Sequence, residues 1–162
     1  MKQLFVFALL LSLFIQHSYA QETQSPKIRF VVGLSLPEGI HAGVTYRLAS
    51  WSQLGVNAGL TPVWEDVFAS VSLEHRIYFG NTHPRLGQKT WFCRQGTSYL
   101  PREDAGQQFT LNLSVGKDLV FKNLNGLSID AGVTYWQRDA PSNFAPILRF
   151  QFFIAPKRKG KI

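Results

Sequence analysis

Apolar and polar side chains alternate along this chain with a period of two, and the alternation recurs in eight separate segments. In Ile40–Leu48 every second residue is apolar, and the residues between them are His, Gly, Thr and Arg. Successive side chains on a β-strand point to opposite faces, so this segment predicts a strand with one apolar face and one polar or small face. After residue 20, no apolar run approaches the roughly 18 residues that a membrane helix requires. A chain of this kind can enter a bilayer only as strands.

The eight segments predict the fold class. Residues rich in Gly, Pro, Asn, Asp and Ser separate them, including a long turn at Gly80–Lys89. The fifth segment, about Thr90–Leu100, is ambiguous because both of its faces mix polar and apolar residues. Strands of roughly nine to eleven residues in a simple meander predict an all-β, eight-stranded antiparallel up-and-down transmembrane β-barrel.

The start of the chain has the layout of a secretory signal peptide. Lys2 precedes the apolar stretch Leu4–Ile15. Ser18 and Ala20 are small residues at positions −3 and −1 of an expected cut before Gln21. The expected organisation is a signal peptide at 1–20, a lead-in at 21–26, a barrel at 27–154 and a basic tail at 155–162. The tail carries four of the cations that give the chain its net charge of +7, and we expect it to be a solvated end.

The polar face of the strands is predicted to face the lumen. Of the seven lysines after residue 20, only Lys117 lies well inside a strand, whereas a water-washed exterior would carry many. An eight-stranded lumen is just wide enough for side chains, so small residues suit the inside and bulky Leu, Phe and Tyr suit the outside. Charges of both signs can pair there, but each would be costly against lipid. The predicted luminal polar network consists of Arg29, Arg47, Asn57, Glu74, Arg76, Asp118, Asp130 and Arg149.

Aromatic residues near strand ends suit the two interfaces of a bilayer, where amphipathic rings concentrate. Trp51 and Trp91 are expected at one rim, and Trp64 and Trp136 at the other. The predicted interfacial aromatics are Tyr46, Trp51, Trp64, Trp91, Tyr135 and Trp136.

The pentapeptide AGVTY occurs twice, at Ala42–Tyr46 and at Ala131–Tyr135. The two copies fall on the second and seventh predicted strands, which run in opposite directions through an eight-stranded meander. A duplicated hairpin would keep its direction, so we interpret the repeat as a local code. In this code Gly and Thr point inward, Ala and Val point outward, and Tyr lies at a rim.

Four segments carry a family resemblance: Leu54–Leu60, Leu73–Phe79, Leu113–Gly116 and Gly132–Tyr135. With them the chain resembles the small outer-membrane β-barrel proteins of the OmpA/OmpX type, particularly the short stand-alone versions frequent in Bacteroidetes. The resemblance spans roughly Lys27 to Ile154. It implies an outer-membrane location, insertion by the barrel-assembly machinery, and contact with outer-membrane lipid and lipopolysaccharide.

The sequence offers little chemistry. Deacylating barrels use a His-x-Ser pair on a strand, but His41, His75 and His83 are followed two residues on by Gly, Ile and Arg. The histidines and Cys93, which stands alone, lack the spacing of metal ligands, and phosphate-binding and nucleic-acid motifs are absent. We therefore expect no catalytic residues, no cofactor, no metal and no nucleic acid.

The predicted function is that of a non-enzymatic, monomeric outer-membrane barrel with a closed polar lumen and a structural or interaction role at the cell surface. Two alternatives stay open at this point. One is a soluble periplasmic or secreted lipocalin-like barrel that binds an apolar ligand. The other is a lipid-modifying barrel enzyme.

Overall fold

The computed structural model describes residues 26–36, 39–63, 66–83, 88–100, 108–136 and 144–156. The predicted signal peptide, most of the lead-in and tail, and Trp64 lie outside this part of the chain. Eight strands are present: β1 (Ile28–Leu36), β2 (Gly39–Ala49), β3 (Ser52–Val63), β4 (Asp66–His83), β5 (Gln88–Leu100), β6 (Gln108–Val120), β7 (Gly126–Trp136) and β8 (Phe144–Ile154). Within the described ranges, no helix has the length and apolar character needed to cross a membrane.

The strands form one closed barrel, which confirms the predicted eight-stranded antiparallel meander. Each strand pairs antiparallel with the next in sequence, and β8 pairs with β1 from Phe30↔Ile154 to Leu36↔Leu148. We call the end of the barrel that carries Ile28 and Ile154 the terminal end, and the opposite end the distal end.

Side chains alternate between the two faces of the barrel wall. Along β1 the burial pattern is strictly alternating, with Phe30 and Val32 about half exposed and Arg29 only 2% exposed. On β3, Val56 is 55% exposed and its neighbour Asn57 is 2% exposed. On these two strands the polar face is the buried one, as expected for the enclosed interior of an eight-stranded barrel.

The predicted long turn at Gly80–Lys89 is wrong. Residues Gly80–His83 continue β4, which reaches 18 residues, and β5 begins at Gln88. The pairing shifts between Phe79↔Trp91 and Thr82↔Lys89. Gly80 adopts a positive φ of 82° at this shift, the conformation that glycine supplies at a β-bulge. Turn-forming residues here bend a strand instead of ending it, so the β4–β5 hairpin extends beyond its neighbours.

The two AGVTY copies show the same facing pattern in opposite directions. Thr45 and Thr134 are each 1% exposed, whereas Tyr46 and Tyr135 are 45% and 39% exposed. Tyr46 pairs with Ile28 at the terminal end. Tyr135 pairs with Phe144 at the distal end.

Candidate functional site in the barrel lumen

Glu74 is the centre of an ionic network in the middle of the lumen. Its Oε1 accepts hydrogen bonds from Arg76 Nη2 at 2.8 Å and Nε at 3.1 Å. Its Oε2 accepts from Arg149 Nη1 at 3.0 Å and from Arg94 Nη1 at 3.3 Å. Arg76 and Arg94 lie directly opposite each other on β4 and β5, so their charges would repel without this carboxylate. Asp130 accepts a further bond from Arg94 Nη2.

Asp118 of β6 organises the lumen nearer the terminal end. Its Oδ1 accepts a hydrogen bond from Ser128 Oγ at 2.6 Å. Its Oδ2 lies 3.1 Å from the Tyr78 hydroxyl and 3.4 Å from Arg29 Nη1. Ser128 Oγ also accepts from Arg76 Nη1 at 3.3 Å, which joins this group to the Glu74 network. The polar contacts are therefore continuous across the lumen.

Aromatic rings fill the lumen around these charges. Tyr78, Phe92 and Phe153 are between 0% and 2% exposed. The Arg29 guanidinium lies 4.6 Å from the centre of the Phe153 ring, and that of Arg76 lies 4.9 Å from the centre of the Phe92 ring. At these distances the ring faces attract the cations, which compensates part of the cost of burying them.

Two glycines make room for the inward rings. Phe92 pairs across the strands with Gly116, and Phe153 pairs with Gly126. A Cβ atom at Gly116 would lie 2.6 Å from Phe92 Cζ, and one at Gly126 would lie 2.8 Å from Phe153 Cε1. The close approach of each ring therefore requires glycine at the facing position.

Around Glu74, the described side chains leave little free space. A void of about 10 Å³ lies among Glu74, Arg94 and Arg149, which is room for at most one water molecule. Among the described residues, the lumen holds five arginines and three carboxylates, a formal excess of two positive charges. A solute could cross this layer only if the charged side chains rearranged.

The eight residues predicted for the luminal network all lie inside the barrel, at 2–6% exposure. The contacts above join six of them, and Asn57 and Arg47 line the same lumen. Asn57 Nδ2 donates to Ser72 Oγ at 3.3 Å. The backbone N–H of Arg47 donates to the Lys27 carbonyl oxygen.

Sequence reasoning missed Arg94 and the inward rings. Arg94 lies on the strand whose two faces look equally mixed, and the rings were expected outside. The inward rings each face a glycine on the neighbouring strand, and this pairing could have identified them. Recognising it requires the register between the two strands, which the sequence does not give.

Five of the six predicted interfacial aromatics lie near the two ends of the barrel, and Trp64 lies outside the described residues. Tyr46 and Trp91 are exposed at the terminal end, Trp51 lies in the adjacent β2–β3 turn, and Lys117 Nζ lies 5.1 Å from the centre of the Trp91 ring. Tyr135 is exposed at the distal end, and Trp136 is the half-buried last residue of β7.

Ser52 lies within hydrogen-bonding distance of His75, although no serine follows this histidine two residues on in the sequence. Ser52 Oγ lies 2.9 Å from His75 Nε2, and Gln95 Nε2 lies 3.1 Å from His75 Nδ1. A hydroxyl and an orienting group on the two ring nitrogens are components of an activated nucleophile. However, Ser52 is only 3% exposed, so its hydroxyl is closed off from a substrate. We interpret the group as a hydrogen-bonded polar cluster on the outer wall. In the described part of the chain, no three His, Cys, Asp or Glu side chains come together as a metal site.

The sequence matches no family model, and no curated protein matches it. Among solved structures, the chain is similar to a protein described under "De novo design of transmembrane beta-barrels". The two share 12% sequence identity with a TM-score of 0.43, over 84% of this chain and 100% of the designed one.

Proposed function

We propose that this chain is an integral outer-membrane β-barrel whose lumen is closed by its own polar network, with a structural or interaction role at the cell surface. The observation that carries the proposal is the polarity of the barrel wall. Among the described residues, thirty large hydrophobic side chains are exposed on the exterior, while 23 of the 30 buried residues other than glycine are polar or charged. Apolar surface on this scale favours lipid over water as its surroundings.

The spacing of aromatic residues supports the same proposal. Phe109 on β6 and Phe121, which directly follows β6, are both exposed near opposite ends of the barrel and are twelve residues apart. With a rise of about 3.3 Å per residue and a strand tilt of about 40°, their separation along the barrel axis is roughly 30 Å. This matches the thickness of the hydrocarbon core of a bilayer, about 30 Å.

The buried charges favour a membrane barrel over a soluble ligand-binding one. A soluble barrel that binds an apolar ligand needs an apolar interior, whereas this lumen is filled by Glu74 and its arginine partners. The same filling supports a closed barrel in preference to a conducting pore. The closed-off hydroxyl of Ser52 supports a non-enzymatic role.

Cell fractionation tests the location. The full-length chain should appear in the outer-membrane fraction, and the folded barrel should migrate differently on a denaturing gel before and after heating. A variant that lacks residues 2–20 is the matched control, and it should fail to reach that fraction. A chain that refolds without detergent into a water-soluble monomer would overturn the proposal.

Two assays on the purified barrel test the role. In planar bilayers it should produce no discrete conductance steps. Incubation with phospholipid or lipid A should release no acyl chains. Hydrolysis that disappears in the His75→Ala variant would overturn the non-enzymatic part of the proposal while leaving the membrane location intact.

A further inference from the structure

One strand of the barrel breaks the apolar character of the exterior. The outward positions of β5 are, from the terminal to the distal end, Trp91, Cys93, Gln95, Thr97 and Tyr99. On the opposite wall, four strands away, the outward positions of β1 are Ile28, Phe30, Val32, Leu34 and Leu36. We call Cys93, Gln95 and Thr97, together with His75 on β4, the polar stripe.

The polar stripe lies at mid-depth in the proposed membrane. Gln95 is four residues from Trp91 and four residues from Tyr99, the aromatic residues that flank the stripe. His75 pairs directly with Gln95 across the strands. The amide of Gln95 is therefore placed where the surroundings of a lone barrel would be lipid tails.

The hydrogen-bonding capacity of the stripe is only partly used. Both ring nitrogens of His75 have partners, Ser52 and Gln95. A glutamine amide offers two N–H donors and an oxygen acceptor, and within the described residues Gln95 makes one side-chain bond, to His75. No hydrogen bond from the Thr97 hydroxyl is seen there. Lipid tails can satisfy none of these groups, so a protein surface with polar groups at the same depth would be preferred.

We propose that the polar stripe is the contact face between two copies of this barrel. The inference rests on the membrane insertion proposed above and departs from the monomer expected from the sequence. Both copies insert in the same direction, so a two-fold axis along the bilayer normal keeps every residue at its own depth. Gln95 then meets Gln95 of the partner subunit, and Thr97 meets Thr97 of the partner subunit.

The chemistry of the stripe favours a second copy over an unrelated partner. Amide and hydroxyl groups both donate and accept hydrogen bonds, so the face is complementary to itself. The stripe carries no carboxylate, lysine or arginine, so two copies meet without like-charge repulsion. A second copy necessarily presents matching groups at matching depths.

Cys93 provides a test in the native chain. It is the only cysteine, it is partly exposed, and it is two residues from Gln95 on the same face. Mild oxidation of membranes that contain the protein should give a covalent dimer. The matched control is the Cys93→Ala, Val32→Cys double variant, which moves the thiol to the opposite wall and should stay monomeric. Equal cross-linking of the two proteins would indicate random collision and overturn the proposal.

Measuring the dissociation constant of the dimer tests the proposal without relying on Cys93. Sedimentation equilibrium in detergent should find a dimer whose dissociation constant rises at least tenfold in the Gln95→Leu, Thr97→Val variant, because this variant loses the hydrogen bonds between the two subunits. The Val32→Leu variant is the control and should dimerise like the wild type. A wild-type barrel that is monomeric at every protein-to-detergent ratio, or a variant with an unchanged constant, would refute the dimer.

Heat-dependent gel migration of the same samples separates the two proposals. A folded, heat-modifiable monomer contradicts only the dimer. A chain that never folds in detergent or lipid contradicts the membrane barrel itself.

Discussion

Replacing Glu74 with glutamine tests whether the luminal network holds the barrel together. Glutamine keeps the size of the side chain and one acceptor oxygen but removes the charge that Arg76, Arg94 and Arg149 share. Those arginines make four hydrogen bonds of 2.8–3.3 Å to the carboxylate, whose side chain is 4% exposed. The amide N–H groups of a glutamine would face guanidinium donors, so the geometry cannot be restored by a rotation.

The size of the effect follows from this burial. Breaking a buried ion pair by removing one partner costs about 3–5 kcal/mol, because the remaining charge stays buried without compensation. Three cations lose their common partner here, so we expect the upper part of that range, about 4–5 kcal/mol. A loss of about 4 kcal/mol lowers the folding equilibrium constant by a factor of roughly 10³.

Reversible urea unfolding in lipid vesicles, followed by tryptophan fluorescence, measures the change. The Asn57→Ala variant is the control, because it changes an uncharged side chain in the same lumen. It removes one luminal hydrogen bond, from Asn57 Nδ2 to Ser72 Oγ at 3.3 Å, and should cost about 1 kcal/mol. The Glu74→Gln, Arg149→Gln double variant should lose at least 1 kcal/mol less stability than the sum of the losses in the two single variants. In the double variant, Arg149→Gln removes one of the cations that Glu74→Gln leaves without a partner. A Glu74→Gln barrel no less stable than the Asn57→Ala barrel would refute the reasoning.

Two further substitutions test the wall and the packed lumen. Val56→Lys puts a charge on the exterior wall, which the proposal places against lipid, and should destabilise the barrel in vesicles by about 2–4 kcal/mol. Thr82→Lys in the extended hairpin should have little effect. Equal effects of the two changes in an unfolding titration would place Val56 in water. Gly126→Ala places a Cβ against both the Phe153 ring and the Leu119 carbonyl oxygen and should cost about 1–3 kcal/mol through overpacking. Phe153→Leu in the same chain should recover part of that loss, and an Ala variant as stable as the wild type would show that the ring lies elsewhere.

The barrel was predictable because its signal is local. On β1, β2 and β6 the alternation of one residue with the next is strong, and it predicts both the strands and their number. On β5 the alternation between apolar and polar residues is lost, because the outward face carries Gln95 and Thr97 while the inward face carries Phe92. The extension of β4 past Phe79 was missed because Gly80 and Asn81 resemble a turn in composition, and only the pairing across the hairpin reveals a bulge.

The parts of the site that escaped prediction depend on contacts between distant residues. Glu74 and Arg76 are two residues apart and necessarily share a face, so their pairing was within reach. The approach of Ser52 to His75 depends on the register of β3 against β4, which alternation does not fix. The same holds for Phe153 over Gly126, where a ring that suits the exterior by composition is accepted inside because of the residue facing it.

The extended β4–β5 hairpin sets how far the proposed barrel can sink into the bilayer. Beyond Phe79 and Trp91, the two strands pair only with each other among the described residues, so the outer edge of each leaves peptide groups to be met by solvent. In hydrocarbon each such group would cost several kcal/mol. In the proposed membrane barrel, the unpaired edges that begin beyond Phe79 and Trp91 would therefore oppose deeper insertion at the terminal end, and lengthening the hairpin would leave this boundary at the same residues.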